Sequence, residues 1–145
     1  MLKNISPILP PDLLKYLAEM GHGDTIVLAD GNFPGASVAK RIVRCDGVGV
    51  PALLSAVLKL MPLEACAEHS AAVMAVPADI GEPVIWAEFR GILAEEEPAA
   101  GAKDLRQVER FAFYEEAKQA YVVVQSGELA TYANLILQKG VLTCS

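Results

Sequence analysis

Gly21-His22-Gly23-Asp24-Thr25-Ile26-Val27-Leu28-Ala29-Asp30 is the stretch on which the fold turns. Its centre, residues 25–29, is an unbroken apolar run, the pattern of a strand covered on both faces rather than one. Such strands belong to parallel sheets with helices on either side, and ligands there sit beyond the carboxyl ends of the strands. Asp30 falls at such an end. His22 lies between two glycines, which let a ligand approach closely, and it is the side chain best suited to exchanging protons near neutrality. The reading places His22 and Asp30 at one mouth of the sheet and implies proton transfer on a small polar molecule.

Outward from this strand, helical and strand patterns alternate. Pro10-Pro11-Asp12 opens a helix, with proline in the first turn and Asp12 facing the positive end of the dipole. Leu13, Leu14, Leu17 and Ala18 continue it, and Gly21 fits the position just past its end. Gly31-Asn32-Phe33-Pro34-Gly35 reads as a loop. Strands follow at Ile42-Val43-Arg44, at 71–76, up to Val108, at 121–125 and at 135–137. Helices are expected from Pro51, at 83–93 with Trp86 and Phe89 on one side, and at 111–120. Glu95-Glu96-Glu97-Pro98-Ala99-Ala100-Gly101 reads as solvated loop. The expectation is one α/β domain over residues 1–145, with a largely parallel central sheet covered by helices on both faces.

The apolar set including Tyr makes up 53% of the 145 residues, and mean hydropathy is +0.34. No window approaches the ~18 unbroken apolar residues of a membrane span. The excess therefore points to additional buried surface, that is, a homo-oligomer with apolar interfaces. A formal net charge of −6 argues against nucleic acid or anionic membrane as partner. Cys45, Cys66 and Cys144 form no Cys-x-x-Cys and read as reduced, mostly buried thiols of a cytoplasmic protein, and residues 1–7 lack a signal-like apolar core.

Several chemistries find no motif. There is no Gly-x-x-x-x-Gly-Lys phosphate loop, no Gly-x-Ser-x-Gly nucleophile elbow, and Gly47-Val48-Gly49 lacks the third glycine of a dinucleotide fingerprint. His22, Asp24 and Asp30 offer an imidazole and two carboxylates to a divalent cation, but no paired metal-ligand spacing supports them. His69 precedes a strand in a polar loop. More bland roles stand beside each candidate: Asp30 as an Asx-turn, Asp24 as a turn residue, and Phe111 and Tyr114 as a core stripe with Arg110 paired to a surface acid. Tyr132-Ala133-Asn134 offers a ring, an amide and backbone groups, which suit sugar hydroxyls and the C–H face of a sugar.

These segments together resemble the cytoplasmic ribose pyranase and fucose mutarotase family over nearly the whole chain. The resemblance is carried by Ile5-Ser6-Pro7, Met20-Gly21-His22-Gly23-Asp24, Asp30 with Asn32-Phe33-Pro34, Arg44 with Asp46-Gly47, and Tyr132-Ala133-Asn134 before Gly140-Val141. Arg110-Phe111-Ala112-Phe113-Tyr114-Glu115 resembles the fucose branch rather than the ribose branch. The resemblance implies an anomer-exchanging isomerase needing no cofactor, with His22 as proton donor and Asp30, Arg110, Tyr132, Ala133 and Asn134 on the sugar. Tyr114 would be an active-site neighbour. It also implies a homo-oligomer, a ring of ten subunits in bacterial members, with sites at or near subunit interfaces. Gly31 and Gly35 depart from the usual fucose-branch loop, and residues 77–101 match weakly. The alternatives are the same chemistry on D-ribose, a non-catalytic sugar-binding protein and a metal-dependent hydrolase.

Overall fold

A computed structural model describes residues 1–144. Six strands form one sheet: β1 (Thr25–Ala29), β2 (Ile42–Cys45), β3 (Ala71–Met74), β4 (Arg106–Val108), β5 (Val122–Ser126) and β6 (Leu135–Gln138). The spatial order is β2-β5-β1-β6-β3-β4. Five strands run the same way, while β6 runs antiparallel between β1 and β3, pairing Val27 with Ile136 and Ala72 with Ile136. That reversal brings the amino end of β6 beside the carboxyl ends of β1 and β3. The central sheet is thus largely parallel, as the apolar runs implied.

Helices cover both faces. On one side lie α1 (Pro11–Glu19), α3 (Val50–Leu58) and α4 (Ile85–Glu96), whose Leu13, Leu17, Leu53, Leu54, Trp86 and Phe89 pack on Ile26, Leu28, Val122, Val124, Leu135 and Leu137. On the other lies α6 (Arg110–Gln119), whose Phe113 and Ala117 pack on Val27, Ala29, Val123 and Ile136. Successive residues of β1 thus enter opposite cores, which is why the run needs no polar alternation. Each large side chain buried this way contributes about 1.5–3 kcal/mol. Phe89→Ala, emptying a site with no exposure, costs about 3–5 kcal/mol.

Gly21 stands just past the end of α1, as expected, with Met20 closing the helix in extended conformation and the positive φ of 88° falling at Gly23. Three local expectations are corrected. The loop after Asp30 contains one helical turn, α2 (Gly35–Val38). Residues 95–101 are not a loop: α4 runs on to Glu96, and α5 (Pro98–Gly101) buries Ala100 against the core. Proline, placed in the first turn where its missing N–H matters least, restarts the helix rather than ending it. Finally, only Cys45 is buried, whereas Cys66 and Cys144 are exposed. Among the described residues, no helix is long and apolar enough to cross a membrane.

Candidate active site

The carboxyl ends of β1, β3 and β4 and the start of β6 enclose a cavity of about 350 Å³. Asp30, Arg110, Tyr114, Tyr132 and Asn134 line it together with Asn32, Phe33, Pro34, Met74 and Thr131. Five of the expected site residues are therefore brought together from segments up to 104 positions apart.

Asp30 is the most tightly held. Its N–H donates to Asn134 Oδ1 at 2.7 Å, its carbonyl accepts from Gln125 Nε2 at 2.6 Å, and its carboxylate accepts from Asn32 N–H at 3.0 Å. The last bond is the anticipated Asx-turn, so the bland reading and the functional one hold together. Burial pushes the Asp30 carboxyl above its ordinary value, against the opposing pull of the backbone N–H groups of Asn32, Ala133 and Phe33 and of Asn134. Ala133 contributes that N–H alone; its methyl is fully buried in the core and does not face the cavity.

Arg110 opens α6, whose N-cap Glu109 accepts the N–H groups of Phe111 and Ala112 at 3.0 Å each. The guanidinium Nε–H donates to the Tyr114 hydroxyl at 3.2 Å, one helical turn on, and has no carboxylate partner among the described residues. The core-stripe reading of Phe111 fails: it is 68% exposed, and the buried positions of α6 are Phe113 and Ala117. Phe33 instead meets Tyr114 with ring centroids 5.7 Å apart, forming an aromatic wall. Tyr132 has a φ of 55°, left-handed for a non-glycine residue. Backbone strain of this kind, about 1–3 kcal/mol, persists only where surroundings enforce it.

His22 is elsewhere. It precedes β1 while Asp30 follows it, and five strand residues separate them by about 17 Å. The expectation of a shared mouth is therefore wrong within one chain: Asp30 lies out of reach of the His22 of the same chain. The same separation dissolves the cation set, since Asp30 cannot meet His22 and Asp24. Asp24 serves locally, accepting Gly21 N–H at 2.7 Å. The His22 side chain, 60% exposed, donates from Nε2 to Glu64 Oε2. His69 is half-buried, its Nδ1 hydrogen-bonded with the carbonyl of Asp104 at 2.7 Å.

Sequence reading missed Met74, Thr131 and Gln125. Met74 ends β3, so the carboxyl-end rule that singled out Asp30 also reached it. Thr131 abuts the flagged Tyr132, and Gln125 is the polar residue closing the Val122-Val123-Val124 run.

A polar, aromatic-walled pocket at the carboxyl edge of a sheet defines an α/β protein whose cavity suits a small hydroxylated molecule. Residues 3–142 match the RbsD / FucU transport protein family, and the chain belongs to that family. It is 50% identical over 149 residues to the human "Fucose mutarotase", covering 97% of this chain and 94% of that one. The structure of the fucose mutarotase from Streptococcus pneumoniae in complex with L-fucose superposes with a TM-score of 0.92 at 45% identity, covering 98% and 100% of the two chains. Bacillus subtilis RbsD complexed with D-ribose is more distant, with a TM-score of 0.71 at 26% identity and 99% and 100% covered.

Proposed function

We propose that this chain is a mutarotase that interconverts the α and β anomers of L-fucose by general acid–base catalysis. The carrying observation is the cavity itself, which gathers Asp30, Arg110, Tyr114, Tyr132 and Asn134 in a fold like that of the fucose-bound relative. Fucose is favoured over ribose by Arg110-Phe111-Ala112-Phe113-Tyr114-Glu115 and by the wider distance to the ribose-bound relative.

Anomer exchange opens the ring hemiacetal, turns the aldehyde and closes on its other face. Opening removes the proton of the anomeric hydroxyl and adds one to the ring oxygen; closing reverses both. Positioned acid–base groups each contribute ~10²–10⁴-fold without a covalent intermediate. In this reading Asp30 and Asn134 hold hydroxyls, Arg110 fixes a further oxygen, and Tyr132 covers the C–H side and the methyl group.

His22 supplies the ring-oxygen proton from a neighbouring subunit. Two observations support this: its separation from the pocket along β1, and its exposure on the protein surface. The exposed Phe111, Leu129 and Val84 supply apolar surface for such contacts. The assembly is then a homo-oligomer, with a ring of ten the arrangement implied by family resemblance, working in the cytoplasm. Light scattering that finds a monomer at micromolar concentration overturns the shared site.

The deciding experiment is NMR saturation transfer between α and β signals of L-fucose and, separately, D-ribose. Transfer with fucose that vanishes in His22→Ala, with sugar binding retained, is expected. Ribose-selective transfer moves the protein to the pyranase branch. Binding without transfer for either sugar leaves a sugar-binding protein.

A further inference from the structure

The His22 loop and residue 64 are both fastened to one piece of chain, residues 138–140. Gly23 N–H donates to the Lys139 carbonyl at 2.9 Å, and Lys139 N–H returns to the Asp24 carbonyl at 2.8 Å. Lys139 Nζ donates to the Leu17 carbonyl at 2.8 Å, tying the end of α1 to the same point. On the other side, Glu64 N–H donates to the Gln138 carbonyl at 3.0 Å, and Gly140 N–H to the Pro62 carbonyl at 2.8 Å. Gly140 has no room for a side chain here, since a Cβ would stand 2.3 Å from the Leu63 carbonyl oxygen. Glu64 is in turn oriented by Cys66, whose N–H donates to Oε1 at 3.0 Å, leaving Oε2 for His22 Nε2. The Glu64 side chain is only 13% exposed against 60% for the imidazole it meets.

We infer that Glu64 is the positioning residue for His22, holding Nε2–H of the ring so that Nδ1 is the nitrogen that exchanges its proton with the sugar. This rests on the mutarotase reading above. A carboxylate on one ring nitrogen fixes the tautomer and orientation of the other and stabilises the imidazolium. In the acid step the Nδ1 proton passes to the ring oxygen as the ring C–O bond breaks, the anomeric hydroxyl gives its proton to solvent water as it becomes the aldehyde C=O, and the neutral imidazole keeps Nε2–H on Glu64. When the ring closes, Nδ1 recovers the proton from the attacking hydroxyl and the aldehyde oxygen takes one back from water. The Cys66 N–H, and then His22, hold the Glu64 carboxyl below its ordinary range, so it is present as the carboxylate this role needs.

The test compares wild type, Glu64→Gln and Glu64→Asp with L-fucose as the probe. Saturation transfer gives the rate, ligand titration gives fucose affinity, and ring-nitrogen NMR of His22 gives the tautomer. Expected in Glu64→Gln are a fall in kcat of about tenfold or more, unchanged fucose affinity, and loss of the single Nε2–H tautomer. Glu64→Asp, a shorter carboxylate, is expected to recover part of the rate. Undiminished kcat in Glu64→Gln, or a fall in rate with the His22 tautomer unchanged, overturns the role of Glu64 and leaves the mutarotase reading intact. Wild type that exchanges no fucose anomers overturns both.

Discussion

The indole N–H of Trp86 donates to the carbonyl oxygen of Tyr132 at 2.8 Å, joining α4 in the core to the pocket residue with the left-handed backbone. Trp86 is 1% exposed, so the bond is made in a dry place where an unpaired carbonyl costs about 1–3 kcal/mol. The same contact holds Tyr132 in a conformation it would not adopt alone, and thereby aims its ring at the cavity. A residue of α4 thus reaches the site through the core.

Trp86→Phe keeps most of the apolar bulk but removes the donor. Stability is expected to fall by about 1–3 kcal/mol, measured by urea unfolding. Fucose KM should rise more than kcat falls, because the lost contact positions a binding residue. An unchanged KM argues that Tyr132 is held by its neighbours without the indole.

The proposed site shared between subunits predicts complementation. His22→Ala and Asp30→Asn proteins, each inactive alone, should regain activity when co-expressed in one oligomer. With equal random mixing, about a quarter of the sites would pair an intact His22 with an intact Asp30. Absence of any regain, with mixed oligomers verified by mass spectrometry, places both residues in a site within one subunit.

Asp30 should set a pH dependence of stability. Burial raises its folded-state pKa above the unfolded value, so the folded protein holds this proton more tightly. Its contribution is then fully present below the unfolded pKa and declines as pH rises through the folded one. Asp30→Asn is expected to match wild type near pH ~3.5 and to be the more stable near pH ~7, while weakening fucose binding, read by titration, about tenfold. Equal unfolding midpoints at both pH values contradict the burial argument.

The second glycine of the departing loop has a steric reason. A Cβ on Gly35 would lie 2.3 Å from Gln125 Oε1, whose amide also holds the Asp30 carbonyl. Gly35→Ala therefore displaces Gln125 and, through it, Asp30. A stability loss of about 1–3 kcal/mol with weakened fucose binding is expected, checked by thermal unfolding and titration. Unaltered binding shows that Gln125 can yield without moving Asp30.

Most of the architecture was legible because a covered parallel sheet leaves its mark in consecutive residues. Ile26-Val27-Leu28-Ala29 and Val122-Val123-Val124 are apolar without alternation, and Pro11, Pro51 and Arg110 sit where helices begin. The 95–101 segment misled, since its glutamates and proline hide a continuing helix and a buried turn. In the site, Asp30, Arg110, Tyr132 and Asn134 were recognisable as chemical types at segment ends. Glu64 and Trp86 were not, because their partners lie 42 and 46 residues away, beyond any local periodicity.

The sequence by itself therefore determined the layered sheet and the set of polar groups at its carboxyl edge, since strand and helix periods are local properties of the chain. Only the tertiary structure decided which groups can meet. β1 is a rigid spacer of about 17 Å, so the eight positions from His22 to Asp30 hold the imidazole apart from the pocket rather than uniting them. The antiparallel β6, inserted between β1 and β3, brings Asn134 to Asp30 at one end and seats Lys139 behind His22 at the other.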